Sequence, residues 1–293
     1  MPAYQTYQAR ADLRRAKAIA ATTSPFTIEV RFLGGLNARQ RAAFAVAADR
    51  WTRVIVGDLP SVLVDGEVID DVLILAQGTA IDGPGGILGQ AGPTHLRPAS
   101  AGDAAFLTAK GIMSFDTADL AKLNAAGTLN DVITHEMGHV LGIGTLWEQK
   151  GLLKNAGTSN PTFSGPAAMD EYRALRDGGR RRRVPVENTG GPGTREGHWR
   201  ETVFRNELMS GFISEPGNPL SRVTAASLGD LGYEVDLDAG EPYTLPNLFE
   251  LAEEGALVEH AAPIDVGMVL PVIPITLPAN SLQTGSARRR RGR

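Results

Sequence analysis

The chain has 293 residues, 42% of them hydrophobic and 21% charged, which is ordinary for a globular protein and enough for one large domain or a domain with an appendage. A formal net charge of -4 argues against general affinity for nucleic acid or acidic membranes, and the lack of cysteine excludes disulfides and thiolate-bound zinc. No stretch qualifies as a transmembrane segment, because residues 262–278 are apolar but broken by Asp265, Pro271, Pro274 and Pro278.

Residues 1–25 carry Arg10, Asp12, Arg14, Arg15 and Lys17 and no apolar core of signal-peptide length. They read as a flexible N-terminal segment, in keeping with either a mature secreted form or a cytoplasmic protein. Residues 26–32 alternate Phe, Ile, Val and Phe with polar partners and predict a strand with one buried face. Residues 37–55 repeat apolar side chains at three and four and predict a long helix capped by Asn37. Residues 71–76 form a short apolar run, an interior strand. Strand, helix and strand in succession favour a right-handed crossover and a mixed sheet. The segment 79–98 is turn-rich, and the glycines around Asp82 let backbone carbonyls fold inward as a hard cation requires. A strand at 111–115 leads into Asp116 and Asp119. These two acids can converge on one point, although spacing alone favours a flexible surface loop followed by an N-cap for the helix from Asp116.

The strongest signal follows. Residues 128–142 hold His135, Glu136 and His139 in a His-Glu-x-x-His pattern inside an apolar helical repeat. Val132, Ile133, Met137, Val140 and Leu141 suit one buried face, and the two histidines, one turn apart, share another. Thr128 with Asp131 reads as a capping box, and Gly142 as the stop. Two imidazoles on one face can reach one ion, and a catalytic zinc keeps a position open for water. Glu136, beside the first ligand, is placed to move that water's proton. With five histidines in the chain, composition alone would produce this pattern on the order of once in a few hundred such sequences.

Beyond Gly142 a Gly, Asn, Pro and Arg-rich stretch runs to about Gly197, interrupted by one helical piece at 167–176. The arginine runs at 180–183 and 288–291 read as solvated loops or tails. Gly197-His198-Trp199 and then Asn206-Glu207-Leu208-Met209-Ser210-Gly211 restore a firm pattern. Residues 220–231 predict a closing helix, with Ser221 as its cap and Gly232 as its stop. After Asp238 there is a short helix candidate at 247–254, a proline-rich apolar stretch and an arginine tail.

The His-Glu-x-x-His helix, the glycine three residues after its second histidine, the distant Gly-His-Trp and the methionine-bearing turn together resemble the metzincin clan of zinc endopeptidases, and within it the leishmanolysin type. Most metzincins place a third histidine six residues after the second, where this chain has Thr145. Leishmanolysin-like proteins carry an insertion there, and the 58 residues between His139 and His198 accommodate one. The resemblance therefore implies one catalytic zinc on His135, His139 and His198, with Met209 in the methionine turn beneath it. His95 and His260 rank behind His198. A second likeness, to the matrixins, implies a structural calcium held by Asp82, Asp116 and Asp119 with carbonyls of Gly83, Gly85 and Ile87. The matrixins' second zinc is not implied, since Gln90 and Ser114 stand at its histidine positions. The chain departs from the family in lacking cysteines and in having Gly211 where some metzincins have a tyrosine.

The expectation is an α+β, metzincin-like zincin fold with a mixed twisted sheet, an active-site helix and a smaller loop-rich C-terminal subdomain. Its domain spans 26–240, with an insertion at about 148–197, and residues 241–293 are an appendage. The expected activity is that of a monomeric zinc metalloendopeptidase acting on peptide or protein substrates, with Glu136 as general base. The peptide would pair with an edge strand at Gly111, Ile112 and Met113, and Phe212 and Ile213 would shape a side-chain pocket. Two rivals are a zinc peptidase whose third ligand is Glu207 or Glu171, and a metal-binding or adhesion protein without turnover.

Overall fold

The structure is a computed structural model and describes residues 4–83, 85, 87–191, 193–213, 215–247, 269–270 and 272–283. Its first elements correct the reading of the N-terminus as flexible: β1 (Gln5–Arg10) and α1 (Leu13–Ile19) are ordered parts of the fold. β1 is polar along most of its length but seats Ala9 in the core, and Asp12 caps α1 by accepting from the amides of Arg14 and Arg15. β2 (Thr27–Gly34) and α2 (Ala38–Val54) follow, and Asn37 with Gln40 forms a reciprocal capping box at the start of α2.

A short hairpin of β3 (Val62–Val64) and β4 (Glu67–Ile69) precedes β5 (Val72–Thr79), β6 (Gly89–Leu96) and β7 (Thr108–Asp116). Among the described residues the main sheet runs in the order β1-β2-β5-β7-β6. β2, β5 and β7 are mutually parallel, while β1 and β6 run antiparallel to their neighbours, so the sheet is mixed. β7 is thus an interior strand, hydrogen-bonded to β5 on one side and β6 on the other. This corrects the expectation that Gly111, Ile112 and Met113 offer a free edge to a peptide. The strand nearer the edge is β6, which the sequence presents as a turn-rich segment. Gly89, Gly92 and Pro93 are poor strand formers, and a register shift falls between Pro93 and His95, where proline has no N–H to give the ladder.

α3 (Thr117–Ala126) and α4 (Leu129–Leu141) come next. α4 has no solvent-facing side: its residues from Asp131 to Leu141 are all buried, and it packs on α2, β6 and β7. Gly142 ends it in a left-handed conformation, φ 116°, as expected. Thr128 does not cap it by its side chain. Its expected partner Asp131 is drawn elsewhere, accepting from Gly217 N at 2.7 Å and facing Arg50.

The insertion builds a small sheet from β8 (Leu153–Lys154), β9 (Thr162–Phe163) and β10 (Val184–Pro185), with α5 (Pro166–Leu175) between the last two. The short α6 (Glu201–Phe204) and α7 (Arg222–Leu231) follow, α7 capped by Ser221 and ended by Gly232. The Asp230 carboxylate accepts from Ala167 N and Ala168 N, both at 2.9 Å, and so joins α7 to the start of α5. Trp147, Phe163 and Trp199 cluster at ring separations of 4.7–5.5 Å and tie the insertion to the chain on either side of it.

Two further strands, β11 (Val269–Leu270) and β12 (Ile275–Thr276), run parallel to β6 along its outer side. Part of the supposed appendage therefore belongs to the sheet. The helix expected at 247–254 lies outside the described residues except at Asn247. Among the described residues no helix is long and apolar enough to cross a membrane.

Candidate metal centre

α4 presents His135 and His139 one turn apart, and the chain returns after the insertion to lay His198 against them. The return depends on backbone contact. Gly144, at φ +75°, lies so close to Gly197 that a Cβ on it would fall 2.0 Å from the Gly197 carbonyl oxygen. Glu187 N donates to His198 O and Trp199 N donates to Met209 O, each at 2.9 Å, fixing the strand-like segment on both sides of the histidine. Thr145, which stands where most metzincins have their third ligand, donates its hydroxyl to the His139 carbonyl at 2.7 Å.

The three Nε2 atoms lie 2.9–3.0 Å from one another. Each ring's Nδ1 is held by a backbone carbonyl: His135 by Leu208 at 2.6 Å, His139 by Ile143 at 2.8 Å and His198 by Thr194 at 2.8 Å. A carbonyl can only accept, so each Nδ1 carries the proton and each Nε2 turns a bare lone pair inward. Three lone pairs facing one another repel unless a cation sits among them. A tetrahedral zinc would space such nitrogens about 3.4 Å apart, a few tenths of an ångström from the arrangement seen. Burial, reinforced by the neighbouring imidazole, pushes all three histidines down to about 3, so they stay neutral ligands at ordinary pH. The three could hold a metal ion, and the all-imidazole donor set suits zinc.

Glu136, the residue after His135 on α4, is buried, with Oε2 making no hydrogen bond, and burial pushes its carboxyl up to about 8. Met209 packs against the same helix at Gly138. A Cβ added to Gly138 would fall 2.8 Å from Met209 Sδ and 2.8 Å from Trp51 Cζ2, so only glycine lets the helix settle there. Ile213 is buried and Phe212 half-buried just beyond that turn.

Other candidates lie apart from this group. The Glu207 carboxylate accepts from Met209 N at 2.6 Å, Ser221 N at 3.1 Å, Ser221 Oγ at 2.7 Å and Thr224 Oγ1, and it is not part of the converging histidine group. Glu171 pairs with Arg222 at 2.8 Å. Both are corrected as third-ligand candidates. His95 sits in β6 with Nδ1 3.0 Å from the Thr94 hydroxyl, and His260 lies outside the described residues.

Asp82, Asp116 and Asp119 do not form one of the groups of described residues whose ligand atoms lie within 4.8 Å of one another. Asp116 caps α3, accepting from Ala118 N at 2.7 Å and Ile81 N at 2.6 Å, with Gly83 N at 3.4 Å. Asp119 accepts from Gly85 N at 2.9 Å and Asp82 from Ile87 N at 3.0 Å. Gly83, Gly85 and Ile87 thus offer amide hydrogens to the carboxylates. Another acidic group, Asp58, Asp70 and Asp71, escaped the sequence reading, as Asp58 joins the other two only when the chain folds.

What the sequence did not reveal about the centre is mostly backbone. The carbonyls of Leu208, Ile143 and Thr194 carry no side-chain signature, and the meeting of Gly144 with Gly197 is visible only in three dimensions. A comparison with curated proteins finds no match. Residues 103–246, which contain the whole histidine group, Glu136 and Met209, match the family model described as leishmanolysin, a peptidase family, and over that stretch the chain is leishmanolysin-like.

Proposed function

We propose that the protein is a zinc-dependent metalloendopeptidase in which His135, His139 and His198 hold the ion and Glu136 moves the proton. The observation that carries this reading is the buried Glu136 carboxylate, with one oxygen free of any partner, on the same helix as His135 and His139 and next in the chain to one of three converging imidazoles. A metal site that only braces the fold needs no such base, so this feature weighs against an adhesion protein without turnover. When bound, zinc lowers the pKa of water to about 7 and polarises the scissile carbonyl. Glu136 takes the proton as water adds to that carbonyl carbon and delivers it to the amine as the C–N bond breaks. A cation nearby also pulls the Glu136 carboxyl down from its metal-free value of about 8, leaving it ionised and able to act as a base near neutrality.

α4 packs beneath β6 and β7, whereas α2 packs against β1 and β2, so the histidines lie under the β6 side of the sheet. An extended peptide that reaches them would run along β6 by backbone pairing. Met209 supports the histidines from below, and Phe212 and Ile213 flank the pocket for the side chain beyond the scissile bond.

Glu136→Gln tests the assignment. It should keep about one zinc per chain while hydrolysis of a quenched peptide falls roughly 10²–10⁴-fold. Full hydrolysis by that variant would remove Glu136 from the mechanism.

A further inference from the structure

The outer side of β6 is already paired. β11 aligns with Gly89 and Gln90, β12 aligns with His95 and Leu96, and Leu277 N donates to Leu96 O at 2.9 Å. Between the two strands Val272 covers Gly92: a Cβ placed on Gly92 would lie 3.1 Å from Val272 Cβ. Gly92 sits opposite Ile112, next to the Pro93–Gly111 pair, and a Cβ on Gly111 would fall 2.4 Å from Val140 Cγ1, on the residue after His139. The covered stretch of β6 is therefore the part that rests on the metal-site helix.

The far end of this strap is well anchored. Leu277 is buried with Val62, Val64, Ile69, Leu73 and Ala109, and Gln283 N donates to Ser61 O at 2.9 Å. The ladder itself is sparse. Pro274 and Pro278 have no N–H to give, and Ile273 and Ile275 point outward, 92% and 60% exposed. A strand without such interruptions can make a more complete set of bonds to the same edge.

Resting on the peptidase reading above, we propose that residues 269–270 and 272–277 are a self-docked strap occupying the peptide-pairing edge of β6, so that the folded protein is held partly closed by its own C-terminal segment. A peptide substrate competes with this strap, and the apparent affinity for peptides is reduced by the fraction of molecules in which the strap is docked.

The chain has no cysteine of its own, so an introduced pair forms a single disulfide. Gly92→Cys with Val272→Cys locks the strap at the middle of β6. His95→Cys with Ile275→Cys, directly opposite in register, provides a second lock without a glycine to replace. Each zinc-loaded variant is compared with itself, oxidised and reduced. The oxidised form should cleave a quenched peptide at least about tenfold more slowly and bind a hexapeptide hydroxamate about tenfold more weakly, while acetohydroxamic acid, which needs only the metal, binds both forms alike. Equal affinity of the hexapeptide hydroxamate for both forms of both variants overturns the strap. So does a hexapeptide hydroxamate that binds no form better than acetohydroxamic acid. If no form cleaves peptides but the long probe still distinguishes oxidised from reduced protein, the peptidase reading fails and the strap stands.

Discussion

Each histidine of the metal centre has one nitrogen committed to a backbone carbonyl and one turned to the shared point, and this division makes the group a ligand set. The packing against α4 is equally local. Gly138 leaves room for Met209 and Trp51, and the Trp51 indole is pinned by its bond to Thr134 O at 2.9 Å, so it cannot swing away from an added methyl group. Alanine is the better helix former by about 1 kcal/mol, but overpacking at a fixed contact costs about 1–3 kcal/mol. Crowding against an immobile ring should win. Gly138→Ala is expected to lower stability by about 1 kcal/mol in denaturant unfolding and to weaken zinc binding as Met209 is displaced. A more stable Gly138→Ala protein would mean that the contact is loose.

Among the elements, the turn carrying Met209 is tied to α7 through Glu207. Its carboxylate joins Met209 N to Ser221 and Thr224 at the start of α7, while the neighbouring Leu208 carbonyl holds His135. Burial pushes the Glu207 carboxyl up, against the pull of these four donors. Glu207→Ala leaves buried amides and hydroxyls unpaired, at a cost of about 3 kcal/mol, and should weaken zinc binding by loosening the turn that orients His135. Unchanged zinc affinity in an equilibrium titration would show that the turn holds itself. Elements with strong periodicity or caps were legible in the sequence: α2 from Asn37, α4 from its apolar repeat, α7 from Ser221 and Gly232. β6 was not, because long-range pairing with β7 overrides the turn propensity of Gly89, Gly92 and Pro93. β1 and β12 were missed for a related reason. Their residues gain little from local preference and are ordered by a neighbour far away in the chain.

For the whole molecule, the three histidines make folding depend on pH and metal together. In the metal-free protein their folded values are about 3, against an ordinary value of 6.5. Between those limits the unfolded chain binds more protons, so their contribution to stability is complete above about 6.5 and is lost as pH falls towards about 3. Glu136 works in the opposite direction. Its folded value of about 8 lies above the ordinary 4.5, so its contribution is complete below 4.5 and is lost as pH rises through 8. Zinc changes both trends. It competes with protons for the imidazoles and stabilises the fold by about 4 kcal/mol when free zinc is a thousandfold above its dissociation constant. Melting temperatures measured from pH 8 to pH 4 should therefore show a large zinc-dependent increment near neutrality that vanishes on acidification. The metal-free wild type should lose more stability below pH 6.5 than metal-free His198→Gln, which has one fewer depressed imidazole to protonate. If wild type and His198→Gln fall in parallel over that range, the ring of residue 198 is solvated in the native protein and does not close the group over α4.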